Sequence, residues 1–279
     1  MKKKWWMLSL SAALSIGLLA GCGTAEEEET TGGGDTPTDT TDTEDTAEAP
    51  AEKVTLVMGT SADYPPYESV DLETEEIIGF DIDIAKHITS ELGYDLQIEN
   101  IDFEGLIPAI QADRVDFVLS GMTPTEERKE NVDFSDIYFT AVNLIVTTED
   151  AGIASMEDLE GKKVGVQLGS IQEGEADKLS EELGFEVVKL NRIPEIVQEL
   201  MTGRIDAIIM EDTVAAGYIE AQDLSSFELP VEDDTELGSA IAFPKGSELQ
   251  EPFNEKLNEM IDSGLMDELI IKWFDDQEE

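Results

Sequence analysis

Lys163-Val164-Gly165-Val166-Gln167-Leu168-Gly169-Ser170-Ile171-Gln172 reads as a short strand that passes through a Gly-Ser turn into a helix, and it opens the second strand–helix alternation in this chain. The first alternation starts with a strand at 54–58, followed by a loop at 59–66 rich in Gly, Ser, Asp and Pro. After a further loop near 71–76, the stretch 81–92 carries Ile84, Ile88 and Leu92 at helical spacing, and Gly93 stops it. A short strand at 96–98, a helix lined by Leu106, Ile107 and Ile110, and a strand at 115–119 ending in Ser120-Gly121 complete the first unit. The second unit has strands at 163–166, 187–190 and 205–210, with helices near 173–183, at 194–201 and after Thr213. Such alternation favours a mostly parallel sheet with helices on both faces, and two successive units suggest two lobes. A late strand at 241–243 precedes helices at 247–263 and 265–274. Their buried stripes are Phe253, Leu257, Met260 and Ile261, then Leu269, Ile270 and Trp273.

Toward the N-terminus the composition changes. Lys2, Lys3 and Lys4 precede a mainly apolar run at 5–19 and then Ala20-Gly21-Cys22, the pattern of an export leader too short to serve as a comfortable membrane span. Leu19-Ala20-Gly21-Cys22 resembles the bacterial lipoprotein processing box, which implies lipidation of Cys22 and attachment to a membrane. Cys22 is the only cysteine, so lipidation leaves no thiol for a disulfide, a nucleophile or a zinc cluster. Residues 23–52 contain eleven acids and no aromatic or large aliphatic side chain, and they read as a disordered tether.

Of 279 residues, 65 are Asp or Glu and 17 are Lys or Arg, a formal net charge of −48. That field repels nucleic acid and anionic membrane surfaces, and it suits a salty medium in which self-repulsion is screened. Catalytic constellations are absent from the sequence. The single histidine, His87, lies mid-helix as a surface or packing residue, and there is neither an HExxH motif nor a P-loop. With so many carboxylates, adjacent pairs such as Glu126/Glu127 carry no weight as acid–base machinery. No metal or cofactor is expected.

Open α/β sheets bind ligands beyond the carboxyl ends of their strands. Three such places combine small and polar residues: 61–67, Ser120-Gly121-Met122-Thr123 with Arg128 downstream, and 168–172. Helix-start amides together with an arginine suit a carboxylate, which Arg grips in a bidentate manner. An ion pair between Arg128 and a nearby acid remains the structural alternative.

From 54 to 274 the chain resembles the binding proteins for polar amino acids that serve ABC importers. The resemblance rests on Gly79-Phe80-Asp81-Ile82-Asp83-Ile84-Ala85, on Ser120-Gly121-Met122-Thr123 with Glu127-Arg128-Lys129 and Val132-Asp133-Phe134-Ser135, and on Gly161-Lys162-Lys163-Val164-Gly165-Val166 with Gly169-Ser170. Ala242-Phe243-Pro244-Lys245-Gly246 and Lys272-Trp273-Phe274 also match. It implies an α/β fold of two lobes, periplasmic-binding-protein-like, with a ligand cleft between lobe one (53–143 and 238–279) and lobe two (144–237). Segments 139–147 and 236–242 would connect the lobes.

The resemblance further implies that Arg128 holds the ligand α-carboxylate with Thr123, Ser170 and nearby amides such as that of Ile171, and that the Ser120-Gly121 turn offers the Gly121 carbonyl to the α-ammonium. A second-lobe acid completes the ammonium site. It is Glu211 by counting from Asp206 and Asp212 by the usual Asp-Thr pair, with Asp212 preferred. Tyr64 and Phe103 would sandwich the ligand side chain, against the bland readings of loop packing and core. The 79–83 motif is read as structural, with Gly79 allowing a turn, Phe80 packing and an acid suiting the helix start. Function is expected to be extracytoplasmic capture of a polar amino acid and delivery to an ABC permease. Arginine or lysine ranks ahead of glutamine or cystine. Asp63, Glu68, Asp102 or Glu104 would meet a distal cation, since position 61 is a serine. A sensing module uncoupled from transport is the alternative, and a dehydratase on this fold is the remote one.

Overall fold

A computed structural model describes residues 53–230 and 238–275; the leader, Cys22, the tether and part of the second connecting segment lie outside the described residues. In chain order the first half comprises β1 (Thr55–Thr60), β2 (Asp63–Tyr64), β3 (Glu68–Val70), β4 (Ile77–Ile78), α1 (Phe80–Glu91), β5 (Asp95–Asn100), α2 (Leu106–Gln111), β6 (Phe117–Val118), α3 (Glu126–Asn131) and β7 (Val132–Phe134). The second half comprises β8 (Asn143–Thr148), β9 (Lys163–Gln167), α4 (Ile171–Leu183), β10 (Glu186–Leu190), α5 (Ile193–Met201), β11 (Ala207–Glu211), α6 (Asp212–Gln222) and β12 (Leu224–Glu228). The chain closes with β13 (Ala242–Pro244), α7 (Gln250–Ser263) and α8 (Leu265–Ile270).

Two five-stranded sheets result, ordered β5-β1-β6-β13-β7 and β10-β9-β11-β8-β12. The strands that follow a helical crossover pair in parallel: β1 with β5 and β6, and β9 with β10 and β11. The strands adjoining the lobe crossings, β8 and β13, pair antiparallel with their neighbours, so each sheet is mixed rather than mostly parallel. Reversal follows from connectivity: a strand that arrives from the other lobe carries no right-handed helical crossover to set it parallel.

Alternation along the central strands buries both faces. Leu56 and Met58 of β1 pack with Phe117, α1 and α7, while Val57 meets Leu106 and Ile110 of α2. In the second sheet, Val146, Ile208 and Met210 face α5 and α6, while Ile145, Val164, Val166 and Ile209 pack with Ala176 of α4.

The small antiparallel sheet β2-β3-β4 sits in the region read as loops, because strands of two or three residues are too short to show a period. α1 starts where the Gly79 motif places it. Gly79 has φ +145°, and a Cβ there would lie 2.1 Å from the Tyr67 carbonyl oxygen, so only glycine fits. That close approach lets the Phe80 and Asp81 amides donate to the carbonyls of Pro66 and Tyr67. Asp81 turns inward, whereas Asp83 accepts from Lys272 Nζ and Trp273 Nε1 and ties the last turn to α1. Trp273 is half-buried against the core, and the neighbouring Phe274 stacks on Phe139 with ring centroids 4.5 Å apart.

The lobes are joined at 139–142 and 238–241, where Phe139 bridges Ser239 antiparallel. Asn143 already belongs to the second sheet, so the predicted connecting strand at 139–147 is mostly β8. Two helical boundaries also differ from expectation. α7 begins at Gln250 rather than 247, and regular α8 ends at Ile270 before a wider turn at Ile271–Asp275.

Candidate functional site

The carboxyl ends of β1, β6, β9 and β11 and the turns after them converge between the lobes. Tyr64, Phe103, Gly121, Thr123 and Arg128 from one side, and Gln167, Ser170, Ile171, Gln172 and Glu211 from the other, line a single narrow cavity. Eight of the ten residues expected from the sequence are among them; Ser120 and Asp212 are not.

Arg128 is positioned by α3, whose first turn is capped by the Thr125 hydroxyl accepting from the Arg128 amide at 3.2 Å. Its guanidinium donates to the Thr123 carbonyl at 2.8 Å and, across the cleft, to the Gly169 carbonyl at 2.9 Å. It also lies 5.3 Å from the Phe103 ring centroid, a cation–π distance. None of these three contacts is an ion pair, and Arg128 forms none among the described residues, so the structural alternative is not what the fold builds. Burial lowers its pKa to about 10, with Glu127 and Glu211 opposing, and it stays cationic at neutral pH. Two of five N–H donors are spent on carbonyls, leaving donors for an anion.

Facing it, Glu211 ends β11 and is buried, and its Oε2 has no hydrogen-bond partner. Burial pushes its pKa up to about 7; the Tyr67 hydroxyl acts in the opposite sense and the Asp212 charge reinforces the rise. Asp212 points elsewhere. Its Oδ1 accepts from the Val142 amide at 3.2 Å and from the Thr213 amide at 2.9 Å, tying α6 to the crossing segment. At a strand end, successive side chains leave in opposite directions, so only one of this pair can face the cavity. The preference for Asp212 therefore passes to Glu211.

Ser120 lies beneath the cavity, its hydroxyl accepting from the Ser61 amide at 3.0 Å and donating to Glu68 Oε1 at 2.5 Å. The Ser170 hydroxyl caps α4, accepting from the Glu173 amide at 3.2 Å and donating to the Gln167 carbonyl at 2.7 Å. This sets the α4 N-terminus against the cavity, where first-turn amides lack intrahelical acceptors. Tyr64 stacks on Tyr67 at 5.5 Å, so one wall of the cavity is held rigid.

None of the four acids expected to meet a distal cation lines this space. Asp63 accepts from the Ser61 hydroxyl and, at 3.2 Å, from the Ile193 amide of the other lobe. Asp102 pairs with Arg192 at 2.6 Å, also across the cleft. Glu68 is fully buried behind Ser120, and Glu104 is exposed. Gln167 was not among the expected residues, and Gln172, although inside the 168–172 segment, was given no role of its own. Gln172 donates to Asn143 Oδ1 at 2.8 Å, and its position at the start of α4 was the available signal. Among the described residues, no group of three or more His, Cys, Asp and Glu is placed to hold a metal ion.

Residues 56–276 match the family model described as bacterial extracellular solute-binding proteins, family 3. The chain is 45% identical over 98% of both lengths to the arginine-binding extracellular protein ArtP of Bacillus subtilis (strain 168). It is also similar to an ancestral arginine-binding protein solved with arginine bound, at 41% identity and TM-score 0.74, covering 80% of this chain and 99% of that one. The ancestral arginine-binding protein solved with glutamine bound is 41% identical with TM-score 0.73, covering 80% and 98%. These relatives are named for binding, none for a reaction, and they share the two-lobe fold. A match across residues 56–276, together with a cavity between two α/β lobes, makes this protein a member of the bacterial extracellular solute-binding proteins, family 3.

Proposed function

We propose that this protein captures a polar α-amino acid outside the cytoplasm, arginine first, and hands it to an ABC permease when its lobes close. The observation that carries this reading is the opposed pair of Arg128 and Glu211 on one small cavity, the carboxylate with a buried, unpartnered oxygen. A zwitterion satisfies both at once: its α-carboxylate meets the arginine fork and the α4 amides, and its α-ammonium meets Glu211. Residues outside a zwitterion's reach then decide the side chain. Tyr64 and Phe103 offer ring faces to a guanidinium, as the Arg128–Phe103 contact illustrates. The relatives' arginine supports the same choice. Anchoring to the membrane through lipid on Cys22 follows from the lipoprotein-like box that ends there.

A second reading, glutamine, is favoured by one feature: Glu211 is the only acid among the lining residues, so a distal cation finds no free carboxylate there. A thermal-shift screen of the twenty amino acids in high salt separates these readings. At a concentration of 100 Kd the true ligand should add about 2.7 kcal/mol. Arginine should give the largest shift; a larger one with glutamine would select the second reading, and none with any α-amino acid would overturn both.

A further inference from the structure

Behind the cavity lies a polar cluster that direct solute contacts do not explain. Glu68 and Asp81 are both fully buried, one opening β3 and the other in the first turn of α1. Asp81 accepts from the Gly121 amide at 2.8 Å and from the Tyr138 hydroxyl at 2.8 Å. Glu68 Oε1 accepts from the Ser120 hydroxyl, which itself accepts from the Ser61 amide. The two carboxyl groups are neighbours, yet Glu68 Oε2 has no donor directed at it. Two buried carboxylates side by side repel and cannot hydrogen-bond; one proton between them removes both penalties.

We propose that Glu68 is a positioning residue acting as a neutral carboxylic acid, its Oε2–H donating to Asp81, and that this pair fixes the Ser120-Gly121 turn that lines the solute cavity. The chain of donors then closes without an orphan. The Ser61 amide donates to Ser120, Ser120 to Glu68 Oε1, and Glu68 Oε2 to Asp81, which also receives the Gly121 amide and the Tyr138 hydroxyl. The fold brings the pair together at the Gly79 approach, where the Asp81 amide donates to the Tyr67 carbonyl at 3.0 Å. Around Glu68 the charged and titratable groups are Asp81, Asp63, Tyr64 and Tyr138, and around Asp81 they are Glu68, Tyr138, Tyr67 and Glu211; no cation is among them. Burial raises both acids above the usual carboxylate range.

The effect on binding rests on the amino-acid reading above, but the protonation state does not, so the test has two readouts. Infrared spectroscopy of the wild-type protein at about pH 8, well above ordinary carboxylate pKa values, should show the carbonyl band of a protonated carboxyl. Glu68→Gln should abolish that band and Glu211→Gln should leave it. Calorimetry with arginine should then show Glu68→Ala weakening affinity by about tenfold, the scale of a lost buried hydrogen bond, and Glu68→Gln restoring it, since its amide can donate and accept at the same two places. No band in the wild type, a band that survives Glu68→Gln, or a Glu68→Gln protein that binds as poorly as Glu68→Ala or fails to fold would overturn the proposal. Failure of the wild type to bind any amino acid, with the band present and assigned, would instead remove the functional reading and leave the protonated pair standing.

Discussion

Arg128 and Glu211 are the two residues on which solute recognition turns, and each makes a separate prediction. Arg128→Ala removes a buried, charge-assisted grip and should cost roughly 2–5 kcal/mol in amino-acid affinity by calorimetry. Its fold contacts are two carbonyls, so thermal stability should change much less. Near-wild-type affinity would place the carboxylate site elsewhere. Glu211 has a folded pKa of about 7 against an ordinary 4.5. Without ligand, the folded state therefore holds a proton that the unfolded chain has released, and the stability contribution falls as pH rises from 4.5 toward 7, by about 3 kcal/mol in total. An ammonium ligand requires the ionised form, so affinity should rise across the same window and binding below pH 7 should release a proton. Calorimetry in buffers of different ionisation enthalpy reads this directly. The proton release should vanish in Glu211→Gln, and its persistence there would assign it to another group. Sequence made Arg128 legible because arginine is scarce and follows a turn at a strand end. The choice between Glu211 and Asp212 was not legible, because it depends on which way the last residue of β11 faces.

At the level of elements, β9, its turn and α4 bring the second lobe onto the first. Gly169 sits in that turn with φ +79°, and a Cβ there would lie 2.9 Å from the Glu104 Cα of the opposite lobe. Backbone cannot step aside as a flexible side chain can. Gly169→Ala should therefore hold the lobes apart and weaken amino-acid binding, beyond any strain in the turn itself. Circular dichroism should show a folded protein and calorimetry a weaker ligand; unchanged affinity would mean that closure does not bring these two segments together. The Asp102–Arg192 pair and the Asp63–Ile193 contact act across the same interface. These latches engage two of the four acids suggested for a distal cation, Asp63 and Asp102. A carboxylate's partner is set by the register of two lobes, which no local pattern encodes. Helices α1, α4, α5 and α7 were readable from apolar spacing and stops. The β2-β3-β4 hairpins and the reversed β8 and β13 were not, since short strands lack a period and direction comes from the lobe crossings.

For the whole molecule, charge and closure govern behaviour. A net charge of −48 should make the folded state salt-dependent, and melting temperature should climb as ionic strength rises and screens self-repulsion. A melting temperature indifferent to salt would show that the acids are already compensated pairwise. Closure by a hinge at 139–142 and 238–241 should contract the small-angle scattering profile when ligand is added, and an unchanged profile at saturation would count against it. Two lobes were legible from the restart of strand–helix alternation at Lys163, but the paired crossing at Phe139 and Ser239 joins residues far apart in sequence and could be placed only approximately. Recognition of an α-amino acid as a zwitterion is the central claim, and calorimetric titration of arginine beside agmatine, the same side chain without the α-carboxylate, tests it most directly. Arginine should bind, and agmatine should lose about thirtyfold or more, the lower end of the 2–5 kcal/mol assigned to the Arg128 grip. Equal binding of the two, or binding of neither arginine nor any other α-amino acid, would contradict it.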